Sequence, residues 1–374
     1  MTAERAVARI DLDAVERNCR HLAAELTADA ELCAVVKADG YGHGADACAA
    51  AALEGGATRL AVATAREAEQ TGRRLQHVPL LTMGALTATD VDVALAAGSE
   101  VAAGREEALR LIAARAGAQG RPAKVHVKYD SGMGRLGATD PEEVMALVAI
   151  CEAEHDLRLA GIWTHFATAD EIGDDYFDQQ LARFTPLAQE LKARHPEITV
   201  HAANSAAVYR DPAAHFDMAR CGIAIYGLDP FQEDPAARGL EPALELHSYV
   251  ADVKRFGAGS SAGYGRTWKA SQDTWVGVLP IGYGDGVRRG LSNNAEVLVR
   301  GRRHPLVGTV SMDNVTIDLG PETDVSPGDE AVLIGAQGEE RILAEEVAGR
   351  LGTINYEVTC GISARVPRVP AEPG

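Results

Sequence analysis

Lysine is scarce in this chain. Only six of its 36 basic residues are lysine, at positions 37, 124, 128, 192, 254 and 269. Arginine fills the other cationic positions. A lysine at a special place therefore points to amine chemistry, which the always-protonated guanidinium does not offer. Positive charge as a whole is also short: 54 acidic residues leave a formal net charge of −18. That balance argues against nucleic acid or an anionic membrane as partner. No apolar run is long enough to span a bilayer. The opening "MTAERAVARI" has no apolar core followed by a cleavage site, so no export signal is expected. The six cysteines, at 19, 33, 48, 151, 221 and 360, form no C-x-x-C pair and read as reduced thiols of a cytoplasmic protein. Neither H-E-x-x-H nor H-x-H spacing occurs among the 11 histidines, so no metal site is expected. G-x-G-x-x-G after the first strand and G-x-x-x-x-G-K-[ST] are both missing, which removes the dinucleotide and P-loop versions of an α/β fold.

What is present is a regular alternation. The length of 374 residues suits two domains, or one large barrel with an appendage. "DLDAVERNCRHLAAEL" has helical spacing, with Asp11 or Asp13 as N-cap. Short apolar runs then recur near 32–38, 59–64, 78–83, 99–104, 123–130, 159–167, 199–205 and 216–222. Most are separated by room for one helix, although the gap between the last two is short. Eight strands alternating with helices predict a parallel (β/α)8 barrel of the TIM type. Beyond residue 240 the pattern changes to short β-like runs divided by Gly, Pro and Asn, which predicts a C-terminal antiparallel β domain. The expected division is 1–238 and 239–374, at the Pro-rich, charged "PFQEDPAARGLEP".

In such a barrel the chemistry collects where the strands end. Lys37 follows the apolar "AVV" and precedes glycines at 40, 42 and 44. A buried ammonium is costly unless it is paired, deprotonated or modified. Lys128 and Asp130 end the fifth predicted strand, on one face with His126 and Lys124. His165 ends the sixth, Asn204 and Ser205 the seventh, and Arg220 the eighth, just before "CGIAIYG". Plain structural readings exist for each: Lys37 bridged to Asp39, Lys128 to Asp130, Arg220 to Asp217, His165 as a core histidine and Tyr41 as a packing aromatic. The chemical reading is a neutral lysine able to form a Schiff base, beside loops able to cradle a phosphate. Pyridoxal 5′-phosphate (PLP) has both needs. An arginine at its ring nitrogen would leave that nitrogen unprotonated and disfavour transamination.

Over nearly its whole length the sequence resembles the bacterial alanine racemases. "AVVKADGYGHG" is similar to their PLP-lysine motif, "KYDSGMGRLG" to their substrate-arginine segment, and "HAANSAA" with "ARCGIAIYG" to their phosphate loops. "AGYGRTW", "GYGDG", "GTVSMDN" and "INYEVTCGISARVPR" resemble their second-domain motifs. Two departures are small: "ADGYG" stands where many relatives have Asn-Ala before the Tyr, and "RVPRVP" where relatives often end Arg-x-Tyr.

The resemblance implies a PLP-dependent interconversion of L- and D-alanine that supplies D-alanine for peptidoglycan. It implies Lys37 as cofactor anchor and as base on one face of the α-carbon. On the other face it implies Tyr264, supplied by the partner's β domain in a head-to-tail homodimer. A phenol is a weak base at neutral pH, so nearby positive charge, with Arg135 as candidate, has to favour its anion. Arg135 and Met312 would meet the substrate carboxylate. Arg220, bonded to His165, would meet the pyridine nitrogen. Tyr41, Ser205, Gly222, Ile223 and Tyr356 would hold the phosphate, Asn204 would belong to the same cofactor site, and Lys128 matches a lysine often carbamylated in the family. The competing readings are a PLP amino-acid decarboxylase of the same architecture, a racemase of broader specificity, and a non-catalytic PLP carrier.

Overall fold

Residues 4–371 are described by a computed structural model. The chain forms two compact units, one spanning Val15–Ile225 and the other made of the remaining described residues. In the first unit the strands are β2 (Glu31–Val35), β3 (Arg59–Val62), β4 (Leu80–Thr82), β5 (Glu100–Ala103), β6 (Ala123–Lys128), β7 (Leu157–Trp163), β8 (Thr199–His201) and β9 (Met218–Cys221); β1 (Ala6–Ile10) lies in the second unit. Strands β2 to β9 pair in parallel in sequence order, and β9 closes on β2 with Cys33 opposite Arg220. All eight expected strands are therefore found. Each stops before the end read from sequence, because its last residues leave the ladder to form the mouth of the barrel.

The helices begin where short polar side chains replace missing backbone partners. Thr64 and Thr87 form capping boxes with Glu67 and Asp90. Asp140 caps a helix that has Pro141 in its first turn. Asp11 accepts the N–H of Ala14 at 2.9 Å, at the start of the helix Leu12–Glu25. The short gap before β9 holds a helix of only six residues, Ser205–Arg210, and one 3-10 turn.

The second unit is built on a mostly antiparallel sheet of 10 strands. Here the domain division departs from the sequence reading of 1–238 and 239–374. Strand β1 leaves the barrel and pairs antiparallel with Leu244–Tyr249, and in parallel with Arg368–Pro370. The stretch from Tyr226 also groups with this sheet. Five residues, "AVARI", carry no mark of which sheet they will join. Their partners lie more than 200 positions away.

The barrel interior is polar where aliphatic layers are common. Glu100, His126, His201 and Arg220 are all buried and hydrogen-bond in that order, at 2.7, 2.8 and 2.9 Å. His126 on β6 reaches His201 on β8 across the intervening β7. Gly161 makes that possible, since a Cβ there would stand 2.4 Å from His126 Nδ1. Burial disfavours the protonated form of both imidazoles and outweighs the pull of Glu100 on His126. With both rings neutral, one assignment satisfies every bond. Arg220 donates to His201 Nδ1, His201 Nε2–H donates to His126 Nδ1, and His126 Nε2–H donates to Glu100. Burial works against the Glu100 carboxylate, but His126, Arg59 and Lys124 more than offset it and hold the carboxyl down at about 2.

Candidate active site

Lys37 opens the turn that leaves β2. Ala38, Asp39, Gly40 and Tyr41 all have left-handed backbone, with φ between 51° and 62°. Three of the four carry a Cβ, so this turn is strained by about 1–2 kcal/mol at each of those residues. It is held by its surroundings. Glu67 accepts the N–H of Ala38 at 2.7 Å and those of Ala63 and Thr64 at 2.9 and 3.0 Å. Asp39 accepts the N–H of Ala45 at 2.9 Å, so its carboxylate serves the next helix. The result aims Lys37 and Tyr41 together: the amine lies 5.7 Å from the centre of the Tyr41 ring.

The Tyr41 hydroxyl packs against Gly222 so closely that a Cβ at 222 would be 2.3 Å from its oxygen. Ser205 Oγ accepts the N–H groups of Gly222 at 3.0 Å and Ala224 at 3.4 Å. Asn204 caps the helix that begins at Ser205 by accepting the N–H of Ala207 at 2.9 Å. Phenol, hydroxyl and backbone amides thus gather at Gly222, where the amides of Gly222 and Ala224 turn to Ser205 Oγ.

Arg220 projects inside the mouth and is 4% exposed. Its guanidinium donates to the carbonyls of Thr164 and Ala202, both at 3.0 Å, and lies 3.4 Å from His165 Nδ1. Burial lowers its pKa to about 10, so it remains a cation at neutral pH. Asp217, the alternative partner on sequence grounds, instead takes Lys192 at 2.9 Å and the N–H of Val200 at 2.7 Å.

Lys128 lies over the Trp163 ring, 4.3 Å from its centre, and Arg220 lies 4.9 Å from the same ring. A cavity of about 390 Å³, walled by Leu86, Val91, Leu111, Ile112 and Leu136, opens beside Lys128 and Arg135. Desolvation first, then the charges of Arg135, Arg220 and Lys37, pull the Lys128 amine down to about 8, against the opposing effect of Asp130. Asp130 itself organises the following loop, accepting the N–H groups of Gly132, Gly134 and Arg135 at 3.1, 3.0 and 2.7 Å. Burial opposes its ionisation, but these amides and that of Met133 outweigh it and hold the carboxyl below its ordinary value.

The mouth therefore concentrates positive charge. Burial, followed by the charges of Arg220, Arg135, Lys128 and Lys37, holds His165 well below its ordinary value as a neutral ring. Four cations focused on one imidazole, with Asp130 as a nearby carboxylate, make a site that calls for an anion from outside the chain. His201, His126, Glu100 and Trp163 support this site but were not among the expected site residues. The signal available for them was strand alternation alone: His126 lies two residues before Lys128, and His201 lies on the inward face of β8.

The second unit gathers the remaining motifs. Tyr264 sits on a turn fixed by Thr309, whose hydroxyl donates to the Tyr264 carbonyl at 2.8 Å. The Met312 carbonyl accepts the N–H of Gly284 at 2.9 Å, and Ser311 O accepts that of Tyr283 at 3.0 Å. At Gly282 a Cβ would lie 2.5 Å from Met312 O, which explains the glycine. Tyr264 and Met312 are 74% and 51% exposed within the single chain. Tyr356 lies on the helix Asn355–Cys360.

Fold and site together define a barrel protein with a lysine amine and an anion cradle at its mouth, joined in one chain to a β domain. The family model for the alanine racemase N-terminal domain matches residues 10–230, and that for the C-terminal domain matches residues 243–370. Alanine racemase of Desulforamulus reducens is 41% identical, covering 97% of this chain and 98% of the relative. The Geobacillus stearothermophilus alanine racemase is 43% identical, over 97% and 92%. Among solved structures, alanine racemase from Streptomyces coelicolor A3(2) superposes with a TM-score of 0.94 at 37% identity, over 99% and 98% of the two chains. That from Bacillus anthracis with bound L-Ala-P gives 0.90 at 38% identity, over 100% and 96%. The chain belongs to the alanine racemase family.

Proposed function

We propose that this protein is a PLP-dependent alanine racemase that interconverts L- and D-alanine by two opposed acid–base groups and supplies D-alanine for peptidoglycan. The observation that carries the reading is the convergence of Lys37, Arg135 and Arg220 on one barrel mouth, with the Tyr41 hydroxyl packed on Gly222 beside them. A phosphate and a substrate carboxylate are the anions such a mouth fits. Incubation of the purified protein with L-alanine, followed by chiral analysis, should show approach to an equal mixture of enantiomers from either side. Loss of carbon dioxide from the substrate would instead favour a decarboxylase.

When bound, PLP supplies an electron sink that acidifies the α-hydrogen of the amino acid. Lys37 Nζ is the attachment point. Its free amine would take or return the proton on one face of the α-carbon. Tyr41, Ser205, Gly222, Ile223 and Tyr356 would hold the phosphate, and Asn204 would contribute to the same cofactor site. Arg220, a cation at neutral pH, would hold the ring end of the cofactor and, being slow to give up a proton, would disfavour a protonated ring nitrogen and the side reactions that follow from it. His165, kept neutral, steadies Arg220. Arg135 receives the substrate carboxylate. Tyr264 of the partner subunit serves the opposite face of the α-carbon, and the partner's Met312 offers its backbone N–H to the carboxylate, its carbonyl being engaged by Gly284. The exposure of both residues in the single chain supports a head-to-tail dimer as the working form. We place this enzyme in the cytoplasm.

Lys128 is carbamylated in this reading: its neutral amine adds to carbon dioxide, a proton leaves to solvent, and the resulting anion orients Arg135. The amine suits the step. At pH 8 about half of it is neutral, against less than about 1% of an ordinary lysine. With ¹³C-labelled carbon dioxide at constant dissolved concentration, a carbamate resonance should grow from pH 7 to pH 9 and vanish in Lys128→Met. A resonance that persists in the variant assigns the carbamate elsewhere.

A further inference from the structure

We infer that Gln232 is a positioning residue for Tyr356, acting through Asn355. The inference rests on the reading above, in which Tyr356 holds the cofactor phosphate. Helix Asn355–Cys360 receives no side-chain cap from Ile354, the residue that precedes it. Gln232, 123 positions earlier, provides one. Its Oε1 accepts the N–H of Asn355 at 2.7 Å, and its Nε2 donates to Asn355 Oδ1 at 3.0 Å. The two amides thus face each other as a paired clamp.

Asn355 is fully buried and has no freedom left. Its Nδ2 donates to the Asp229 carbonyl and to Glu345 Oε1, both at 2.8 Å. Glu345 Oε1 also accepts the N–H of Asp229 at 3.0 Å, which ties the loop carrying Gln232 to the same carboxyl. Gln232 is held with φ of 64°, a left-handed conformation that residues with a Cβ adopt at a cost. Such a conformation persists where the surroundings over-determine it, and here Asp229 does so, its carbonyl accepting the N–H of Gln232 at 3.2 Å and its carboxylate that of Glu233 at 2.8 Å. Tyr356 is the next residue in the chain, so fixing both the backbone N–H and the side chain of Asn355 fixes the start of the helix from which the phenol projects. The clamp sets where Tyr356 points without touching the cofactor itself.

The test compares holoenzymes of the wild type, Gln232→Gly, Tyr356→Phe and the double variant. Glycine accepts the left-handed backbone, which offsets part of the two lost hydrogen bonds, so the fold is expected to persist with a modestly lower melting temperature. Gln232→Glu, which keeps the acceptor for the Asn355 N–H but sets a carboxylate against Asn355 Oδ1, serves as the second variant. The readouts are the rate of PLP loss into a scavenger and the ³¹P resonance of the bound phosphate. Gln232→Gly should speed cofactor loss by about tenfold and shift the resonance in the same direction as Tyr356→Phe. The double variant should lose PLP no faster than Tyr356→Phe alone, because both changes remove one interaction. Multiplying effects, or a Gln232→Gly enzyme identical to the wild type while Tyr356→Phe is impaired, would overturn the clamp alone. An unaltered Tyr356→Phe enzyme would overturn the phosphate reading of Tyr356, and the clamp with it.

Discussion

Lys37→Ala is expected to lose both the visible absorption of attached PLP and racemisation, with activity falling by more than about 10³-fold. The two losses should coincide because one nitrogen serves both as anchor and as base. The substitution leaves the surrounding frame in place. The left-handed turn at 38–41 is held through Glu67 and Asp39, neither of which depends on the Lys37 amine. Ser205 and Gly222 keep each other as partners, and Arg220 keeps the Thr164 carbonyl. The variant should therefore fold and still bind PLP without a covalent bond, and an added small amine should restore part of the rate. Absorption of covalently held PLP in Lys37→Ala would move the anchor to another of the six lysines.

Tyr264→Phe is expected to retain the cofactor band and lose about 10²–10⁴-fold in racemisation. Its effect should be lopsided. Lys37 remains in place and still exchanges the α-proton of the enantiomer that presents it to that face. The other enantiomer depends on the phenol. Exchange of solvent deuterium into L- and D-alanine, followed separately, reads the difference. Equal retention of exchange for both enantiomers would remove the two-base scheme and leave one group serving both faces.

The barrel was legible because its strands are buried on both faces and so read as compact apolar runs at near-regular intervals. "LCAV", "RLAV" and "GIW" lie in the expected strands. Strand β1 was not legible, since a five-residue strand that pairs across most of the chain has no local signal of its destination. Lys37, Lys128 and Arg220 stood out as charges at the ends of apolar runs, where burial makes charge conspicuous. The relay beneath Arg220 did not. Its members lie on β5, β6, β8 and β9, and the bond between His126 and His201 exists only because Gly161 on the strand between them has no side chain. Trp163 carries no mark of a role in the sequence, yet its ring lies under both Lys128 and Arg220. Such properties belong to the closed barrel and to no single stretch of chain.

The measurement that bears most directly on the central claim mixes the two inactive variants. Lys37→Ala and Tyr264→Phe subunits are unfolded together, refolded at equal concentration and assayed. In a mixed head-to-tail dimer, one site joins an intact lysine to an intact phenol from the other chain, and the second site lacks both. With random pairing, half of the dimers are mixed, so activity should return to about one quarter of the wild-type level. No recovery in dimers shown to be mixed would place both groups on one chain and contradict the account.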